Sequence, residues 1–339
     1  MNISLSKISS WFGGLILIIT VFYIIFFDPS KFNPDYGAYE ILYKIIKNND
    51  FRFSFDKFAF LDYFVRIIDF TGTYYGFRVM FASIEVLLFL IILRNLRIRL
   101  KSLTLFISLP LSAFLLLKLH VQIREGFALL LWLFSLNSIQ KEKYISLKNF
   151  IFFIVGSLLH TSTLVFWIST FILKYKNFSS RTKRSLIIIL FSFLGLSIWP
   201  FFGNLISLDY YCSYCDDIEL SPSKIFYWLS FVVIFFLIFK SEKSKSTFTN
   251  QKSIENINSS YIGNIGFYGF IGFVPIAVLS FIGPTNAGTF NLIFRVVLNL
   301  LFLISFYRST TQPKNFYTYI LNSFIFISVL RLLIFPYIK

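Results

Sequence analysis

Long apolar runs are the feature of this sequence that most constrains its fold. Runs of about 15 to 22 residues alternate with short stretches rich in Lys and Arg. An apolar run of this length can cross the hydrocarbon core of a bilayer as a helix. Only 14% of the residues are charged, whereas soluble domains carry about 25%. We therefore predict an all-α, polytopic membrane protein that forms a single integral membrane domain over residues 1–339.

About ten membrane-spanning helices are expected. The first run is followed by "FFDPSK", which contains no small-residue cleavage site, so we expect a retained helix with the N-terminus inside. The predicted spans lie near residues 9–27, 78–93, 102–118, 124–140, 149–173, 185–203, 224–240, 261–282, 288–306 and 316–335.

Basic residues cluster beside the apolar runs. The chain has 32 Lys and Arg against 16 acidic residues, a net charge of +16. The clusters lie at 94–101, 141–148, 174–184 and 240–246, and such clusters are typical of cytoplasmic loops. The charge therefore indicates membrane topology and gives no reason to expect a nucleic-acid partner.

Simple alternation of the spans conflicts with the charges in the middle of the chain. If 149–173 crosses once, the basic loop 174–184 faces outside and the acidic loop 204–223 faces inside. One solution is a re-entrant segment that breaks near His160 and Thr161 and returns to the same side, which survives where protein or water satisfies the freed backbone. Another solution is a miscounted span elsewhere. Both arrangements remain open.

The external loops carry the informative polar residues. With the re-entrant arrangement, 28–77 and 204–223 face outside, and 28–77 has seven acids against six Lys or Arg. Cys212 and Cys215 in "CSYC" are the only cysteines, and in an external loop they form either a small disulfide or two free thiols. No cluster of His and acidic residues has the spacing of a metal site, so we expect no metal or cofactor.

The stretch "KFNPDYGAYEILYKII" in the first loop combines tyrosines with acids. Pro34 and Gly37 predict a turn, and Tyr36, Tyr39 and Tyr43 follow at helical spacing. Aromatic faces beside carboxylates suit a sugar. The alternative is an interfacial helix whose tyrosines lie at headgroup level.

Several ionisable residues interrupt the apolar runs. Such residues cost free energy unless they are paired or hydrated, and they mark substrate pathways. Lys118 and Arg331 are expected to reach the interface by extending their side chains. Glu85 could neutralise Arg78 two turns earlier, and His120 shares a face with Arg124 if the fourth helix starts early. The candidate binding residues in these runs are Arg78, Glu85, His120, Arg124, His160 and Arg295.

Arginine at the edge of a membrane helix suits a phosphorylated lipid. Guanidinium binds phosphate oxygens in a bidentate manner and remains charged at any working pH. A pyrophosphate between a polyprenyl chain and a sugar needs both a membrane for its tail and cations for its head. Arg124 and Arg295 are the predicted cations.

Three motifs resemble the EpsG family, a branch of the Wzy-type polysaccharide and O-antigen polymerases. They are "NPDYGAY" after the first span, "IREGFALLLWLFSL" at 123–136 and "LLHTSTLVF" at 158–166. The resemblance covers roughly residues 10 to 170 in order and spacing, and Arg295 is a poor match to an arginine usual in the last third of the family. The matching positions are Asp35, Tyr36, Tyr39, Arg124, Gly126, Ala128, His160 and Ser162.

The resemblance implies a glycosyltransferase of the bacterial inner membrane. It would transfer a growing glycan from one polyprenyl pyrophosphate to a second lipid-linked repeat unit on the external face, and a chain-length regulator is a further expected partner. Arg124, with Arg295, would stabilise the leaving pyrophosphate. His160 is the first candidate for the base and Asp35 the second. Tyr36, Tyr39, Arg78, Glu85 and His120 complete the expected substrate-binding set.

Other classes of membrane protein stay open. An O-antigen ligase shares the Arg and His chemistry, although it typically has a large external loop late in the chain. A flippase for lipid-linked sugars uses similar buried charges but usually shows internal repeats. A transferase that uses a polyprenyl monophosphate donor is a third alternative. Such an enzyme normally has two neighbouring acids in its first external loop, whereas Asp35 has no acidic neighbour.

Overall fold

The computed structural model describes residues 5–27, 34–48, 59–95, 104–141, 145–174, 264–269, 296–306 and 316–334, with a few positions between 179 and 190 and residue 309. These residues are helical apart from short connections. The chain divides into two compact units, 1–164 with 322–339, and 165–321. In the second unit, Gly266 lets two helical segments approach closely, since a Cβ there would meet Leu300 O at 3.0 Å.

Two of the described helices are long and apolar enough to cross a membrane. They are Ile8–Phe26, within helix α1 (Leu5–Phe26), and helix α4 (Tyr74–Asn95). Helix α1 exposes large apolar side chains such as Trp11 and Ile18, as expected of a helix that contacts lipid. Shorter apolar helices coincide with other expected spans: Ile107–Val121, Leu147–Leu159, Leu164–Lys174, Val296–Phe306 and Thr318–Leu330. The all-α class is confirmed, and the number of spans stays a prediction.

In the described part of the first loop, residues 34–48 and 59–77, the chain forms two helices, α2 (Pro34–Asn48) and α3 (Ala59–Ile68). The turn expected at Pro34 and Gly37 is wrong, because α2 begins at Pro34 and continues through Gly37. Proline suits the first helical position, where its missing N–H would have no intrahelical partner. The helical spacing expected for Tyr36, Tyr39 and Tyr43 is confirmed.

An apolar cluster joins the loop helices to the helices that follow. Its buried members include Tyr43 of α2, Val65 of α3, Phe77 of α4 and Leu159 of α7 (Leu147–Leu159). Phe127 of α6 (Ile123–Lys141) also belongs to it. The cluster therefore fixes the first loop against the ends of α4, α6 and α7.

A wide helical turn precedes α6. Helix α5 (Leu105–Leu115) continues into a π-helical segment, Leu116–Val121, in which Gln122 N donates to Leu117 O at 2.8 Å. Such segments are frequent at functional sites. Gly126 packs against this segment, since a Cβ at Gly126 would lie 2.2 Å from Lys118 O. The glycine thus allows α6 to approach the backbone that carries Lys118.

A break separates α7 from α8 (Leu164–Lys174). His160 is extended, with φ −155° and ψ 116°, and a 3-10 turn follows at Thr161–Thr163. His160 N donates to Gly156 O at 3.0 Å, and Thr163 Oγ1 lies at the same distance from that carbonyl. Of the two arrangements that the charges left open, the first requires a break near His160, and the structure contains this break. The return of the chain to the same side of the membrane stays a prediction.

Candidate active site

Arg124 occupies the first turn of α6 beside an aromatic ring. Its Nε donates to Tyr39 Oη at 3.3 Å, and its guanidinium carbon lies 5.7 Å from the centre of the Tyr39 ring. Ile123, next to Arg124, is buried in the apolar cluster, while Arg124 itself is half-buried. The cation stands at the N-terminus of a helix, whose dipole also favours an anion.

His160 is linked to the same turn of α6 through a serine. His160 Nδ1 lies 2.6 Å from Ser162 Oγ, and Ser162 Oγ donates to Glu125 Oε1 at 3.2 Å. Glu125 directly follows Arg124 in the sequence, so this chain of contacts ties the broken helix to the turn that carries the guanidinium. The structure thereby links the predicted base to the turn of α6 that carries the predicted cation.

The carboxylate of Glu125 is held by a buried lysine. Lys118 Nζ lies 2.9 Å from Glu125 Oε2, and the two side chains are 2% and 1% exposed. Lys118 also donates to Gln122 Oε1 at 2.8 Å. The expectation that Lys118 extends to the interface is wrong, because the π-helical segment turns this side chain inward onto α6. We call Lys118, Glu125, Ser162 and His160 the buried relay.

Hydrogen bonding in the buried relay defines the tautomer of His160. A carboxylate only accepts hydrogen bonds, so the Ser162 hydroxyl donates its single proton to Glu125. Nδ1 of His160 must therefore donate to Ser162. In the neutral imidazole this leaves the lone pair on Nε2, which is the arrangement of a general base.

Arg78 and His120 form a second buried group. Arg78 Nη2 lies 3.1 Å from His120 Nδ1 and donates to His120 O at 3.2 Å, while His120 Nδ1 is 3.2 Å from Ile24 O. His120 therefore turns toward α1 and α4, whereas Arg124 turns toward α2. The expectation that His120 and Arg124 share a face is wrong, because α6 begins only at Ile123.

Glu85 is fully buried in α4, two turns after Arg78. Neither of its carboxylate oxygens accepts a hydrogen bond within the described residues. Arg78 is directed to His120 instead. A role of Glu85, Arg78 or His120 in binding substrate stays a prediction.

Several predicted residues cannot be placed at side-chain level. Asp35 and Tyr36 belong to α2, but their side chains lie outside the described residues, and so do the side chain of Arg331 and the whole of Arg295. Cys212 and Cys215 also lie outside them. Within the residues that are described, no three His, Cys, Asp or Glu side chains form a group able to hold a metal ion.

The sequence contained a signal for the residues of the buried relay that were missed. Lys118 and Glu125 are opposite charges seven residues apart, separated only by the short turn at Gln122. That spacing returns a helical side chain to the same face. Ser162 matched a family motif, but its link to Glu125 spans 37 residues and depends on how α6 and α7 pack.

Helices long and apolar enough to cross a membrane, a broken helix and a buried charged cluster are the features of a helical membrane protein with a polar site. The sequence profile of the EpsG family matches residues 14–336, nearly the whole chain, and the chain belongs to this family. The match extends well beyond the residues 10 to 170 that carry the resemblance. No curated protein and no solved structure matches the chain. The helices and the family together indicate a membrane protein of polysaccharide biosynthesis.

Proposed function

We propose that the chain is a glycosyltransferase that polymerises polysaccharide repeat units. The growing glycan leaves one polyprenyl pyrophosphate and is joined to a sugar hydroxyl of a second lipid-linked repeat unit. The observation that carries this proposal is the contact of His160 with Ser162, which in turn donates to Glu125, the residue that follows Arg124. A base and a cation near one another are what such a transfer needs.

His160 supplies the base. Its Nε2 takes the proton of the acceptor hydroxyl as the hydroxyl oxygen attacks the anomeric carbon of the donor. Ser162 and Glu125 hold the imidazole with Nδ1 protonated, and the Glu125 carboxylate stabilises the imidazolium that forms. The proton then passes to solvent. Asp35 remains the second candidate for this base.

Arg124 supplies the charge for the leaving group. The bond between the anomeric carbon and the pyrophosphate oxygen breaks, and negative charge grows on the polyprenyl pyrophosphate. The Arg124 guanidinium and the N-terminus of α6 stabilise that charge, and Tyr39 holds the guanidinium by its hydroxyl. Arg295 is proposed as a second cation on the same pyrophosphate. The reaction belongs to the external face of the inner membrane.

The experiment compares polysaccharide chain length in cells deleted for this gene and complemented with variants. Wild type, Arg124→Ala and Arg94→Ala are expressed at equal membrane levels. Arg94→Ala is the matched control, because Arg94 is an exposed arginine in the last turn of α4. We expect a full ladder of chain lengths with wild type and Arg94→Ala, and a single repeat unit on the lipid anchor with Arg124→Ala.

Two other results would speak against the proposal. If deletion of the gene removes every external repeat, including the single one, the protein acts as a ligase or a flippase. If Arg124→Ala leaves the ladder unchanged, Arg124 does not act on the leaving pyrophosphate. Asp35→Asn and Arg295→Ala in the same assay test the second base and the second cation.

A further inference from the structure

A cavity of about 450 Å³ lies between α2 and the start of α4. Glu40, Lys44, Lys47 and Asn48 line it from α2, and Tyr74 and Tyr75 line it from α4. Its volume falls in the range of small-molecule sites. None of these residues belongs to the buried relay, so the cavity is a separate feature of the first unit.

Asp69 connects lining residues of the cavity on α2 with the turn at Gly72. One Asp69 oxygen accepts from Tyr43 Oη at 2.5 Å and pairs with Lys47 Nζ at 2.7 Å. The other accepts from Gly72 N at 3.0 Å and from Thr71 Oγ1 at the same distance. Gly72 has φ +70°, a conformation that suits glycine. The turn and the last part of α2 are therefore held together before any ligand binds.

The charge of Asp69 is part of this organisation. Burial by itself would raise the pKa of Asp69, but hydrogen bonds from Lys47, Tyr43 and Thr71 and the charge of Lys47 outweigh it and lower the pKa to about 2. Burial raises the pKa of the Tyr43 hydroxyl, and the hydrogen bond to Asp69 and its charge raise it further. Both groups keep one protonation state at neutral pH.

One residue of the cavity lining, Tyr75, supplies an exposed aromatic ring. Tyr75 is 49% exposed, and its hydroxyl donates to Phe26 O at 2.9 Å, which fixes the ring against α1. The C–H groups of a sugar face carry partial positive charge and are attracted to the negative face of such a ring. A fixed ring loses little conformational freedom when a ligand stacks on it.

The polar groups of the cavity are balanced in charge. Lys44 pairs with Glu40 at 2.8 Å, and Lys47 pairs with Asp69 at 2.7 Å. A balanced set offers donors and acceptors to hydroxyl groups without attracting an anion. The polar lining is also unsuited to the apolar tail of a lipid. These properties together fit an uncharged polyhydroxylated ligand.

The cavity lies next to the site proposed for the pyrophosphate. Tyr39, which bonds Arg124, and Tyr43, which lines the cavity, are four residues apart on α2, about 6 Å along a helix axis. We infer that the cavity binds a neutral sugar residue of the lipid-linked glycan, with Tyr75 as its stacking platform. This inference rests on the proposed function for the source of the sugar.

The test measures binding without turnover. Full-length protein in lipid nanodiscs is mixed with neutral oligosaccharides obtained by partial hydrolysis of the cells' own surface polysaccharide, and contact is detected by saturation-transfer NMR. We compare wild type, Tyr75→Ala and Phe70→Ala. Phe70 is the matched control, since it is 83% exposed on the adjoining turn and does not line the cavity. Thermal unfolding of each variant reports folding.

We expect wild type and Phe70→Ala to bind alike and Tyr75→Ala to bind about tenfold more weakly, the upper end of the contribution of one aromatic contact. Glu40→Gln replaces a carboxylate acceptor in the cavity lining by an amide. This variant should also weaken binding of the sugar. The inference is overturned if wild type does not bind, if Phe70→Ala weakens binding as much as Tyr75→Ala, if only acidic fragments bind, or if inorganic pyrophosphate displaces the sugar.

The two proposals fail separately. If Arg124→Ala leaves the polysaccharide ladder unchanged while Tyr75→Ala weakens sugar binding, the cavity stands and the polymerase mechanism falls. If the ladder depends on Arg124 while wild type shows no sugar contact, the polymerase stands and the cavity falls.

Discussion

Removal of either charge from the pair Lys118 and Glu125 should destabilise the protein, and removal of both should not. The two side chains are 2% and 1% exposed and 2.9 Å apart. Loss of one partner leaves the other as a buried unpaired charge, which costs about 3–5 kcal/mol in the free energy of unfolding. We expect this cost for Lys118→Met and for Glu125→Gln, because the Gln amide would place a second donor near the ammonium.

The double variant Lys118→Met and Glu125→Gln removes both charges at nearly constant volume. Replacing a whole buried pair is often neutral in stability. The double variant should therefore regain most of the stability that each single variant loses. Activity should not recover, because Ser162 then donates to a neutral amide that stabilises the His160 imidazolium less.

The assay is thermal unfolding of the purified protein in nanodiscs for wild type, both single variants and the double variant. The polysaccharide ladder of complemented cells is measured in parallel. If both single variants unfold like wild type, the pair is not buried. If the double variant loses as much stability as the two single variants lose together, the two charges do not interact. If the double variant is stable and makes full ladders, Glu125 has no part in positioning His160.

Two further predictions concern the packing of α6 and the turn at Asp69. Gly126→Ala should reduce the yield of folded protein, since the new Cβ would lie 2.2 Å from Lys118 O. The control Gly14→Ala should fold normally, because a Cβ at Gly14 meets nothing within 4 Å. Equal yields of the two variants by size-exclusion chromatography would contradict the close contact at Gly126. The folded state lowers the pKa of Asp69 from its ordinary 3.8 to about 2, so Asp69 contributes stability that is present above pH 4 and is lost as the pH falls toward 2. Asp69→Asn should therefore lower the unfolding midpoint at pH 6 and remove this pH dependence; an unchanged midpoint would show that the carboxylate does not stabilise the turn.

Much of the fold followed from local pattern. Apolar runs of membrane length predicted the helices at Ile8–Phe26 and Tyr74–Asn95, and the conflict of charges around 149–173 left two arrangements open, one of which was the break at His160. Both depend on neighbouring residues, which the sequence displays directly. The turn expected at Pro34 failed because proline and glycine are compatible with the start of a helix as well as with a turn.

Only part of the candidate site could be predicted from local sequence pattern. Arg124 and His160 were identifiable because an ionisable residue in an apolar run costs free energy unless it is paired or hydrated, and such residues mark functional sites. The contacts that join them to the rest of the site were not identifiable, because Tyr39 lies 85 residues from Arg124, and Ser162, which contacts His160, bonds Glu125 37 residues away. Lys118 was misjudged, since the same side chain can reach water or be buried against an acid, and only the packing of the π-helical segment on α6 decides.

The sequence by itself determined that this chain forms apolar helices and which ionisable residues interrupt the apolar runs, because helix formation and membrane insertion depend on short stretches of residues. The tertiary structure alone decided that Lys118, Glu125, Ser162 and His160 form one buried relay and that Tyr75 faces a cavity beside α2. These contacts join helices that are distant along the chain, and their free energy depends on the orientation of facing side chains, which no local pattern encodes.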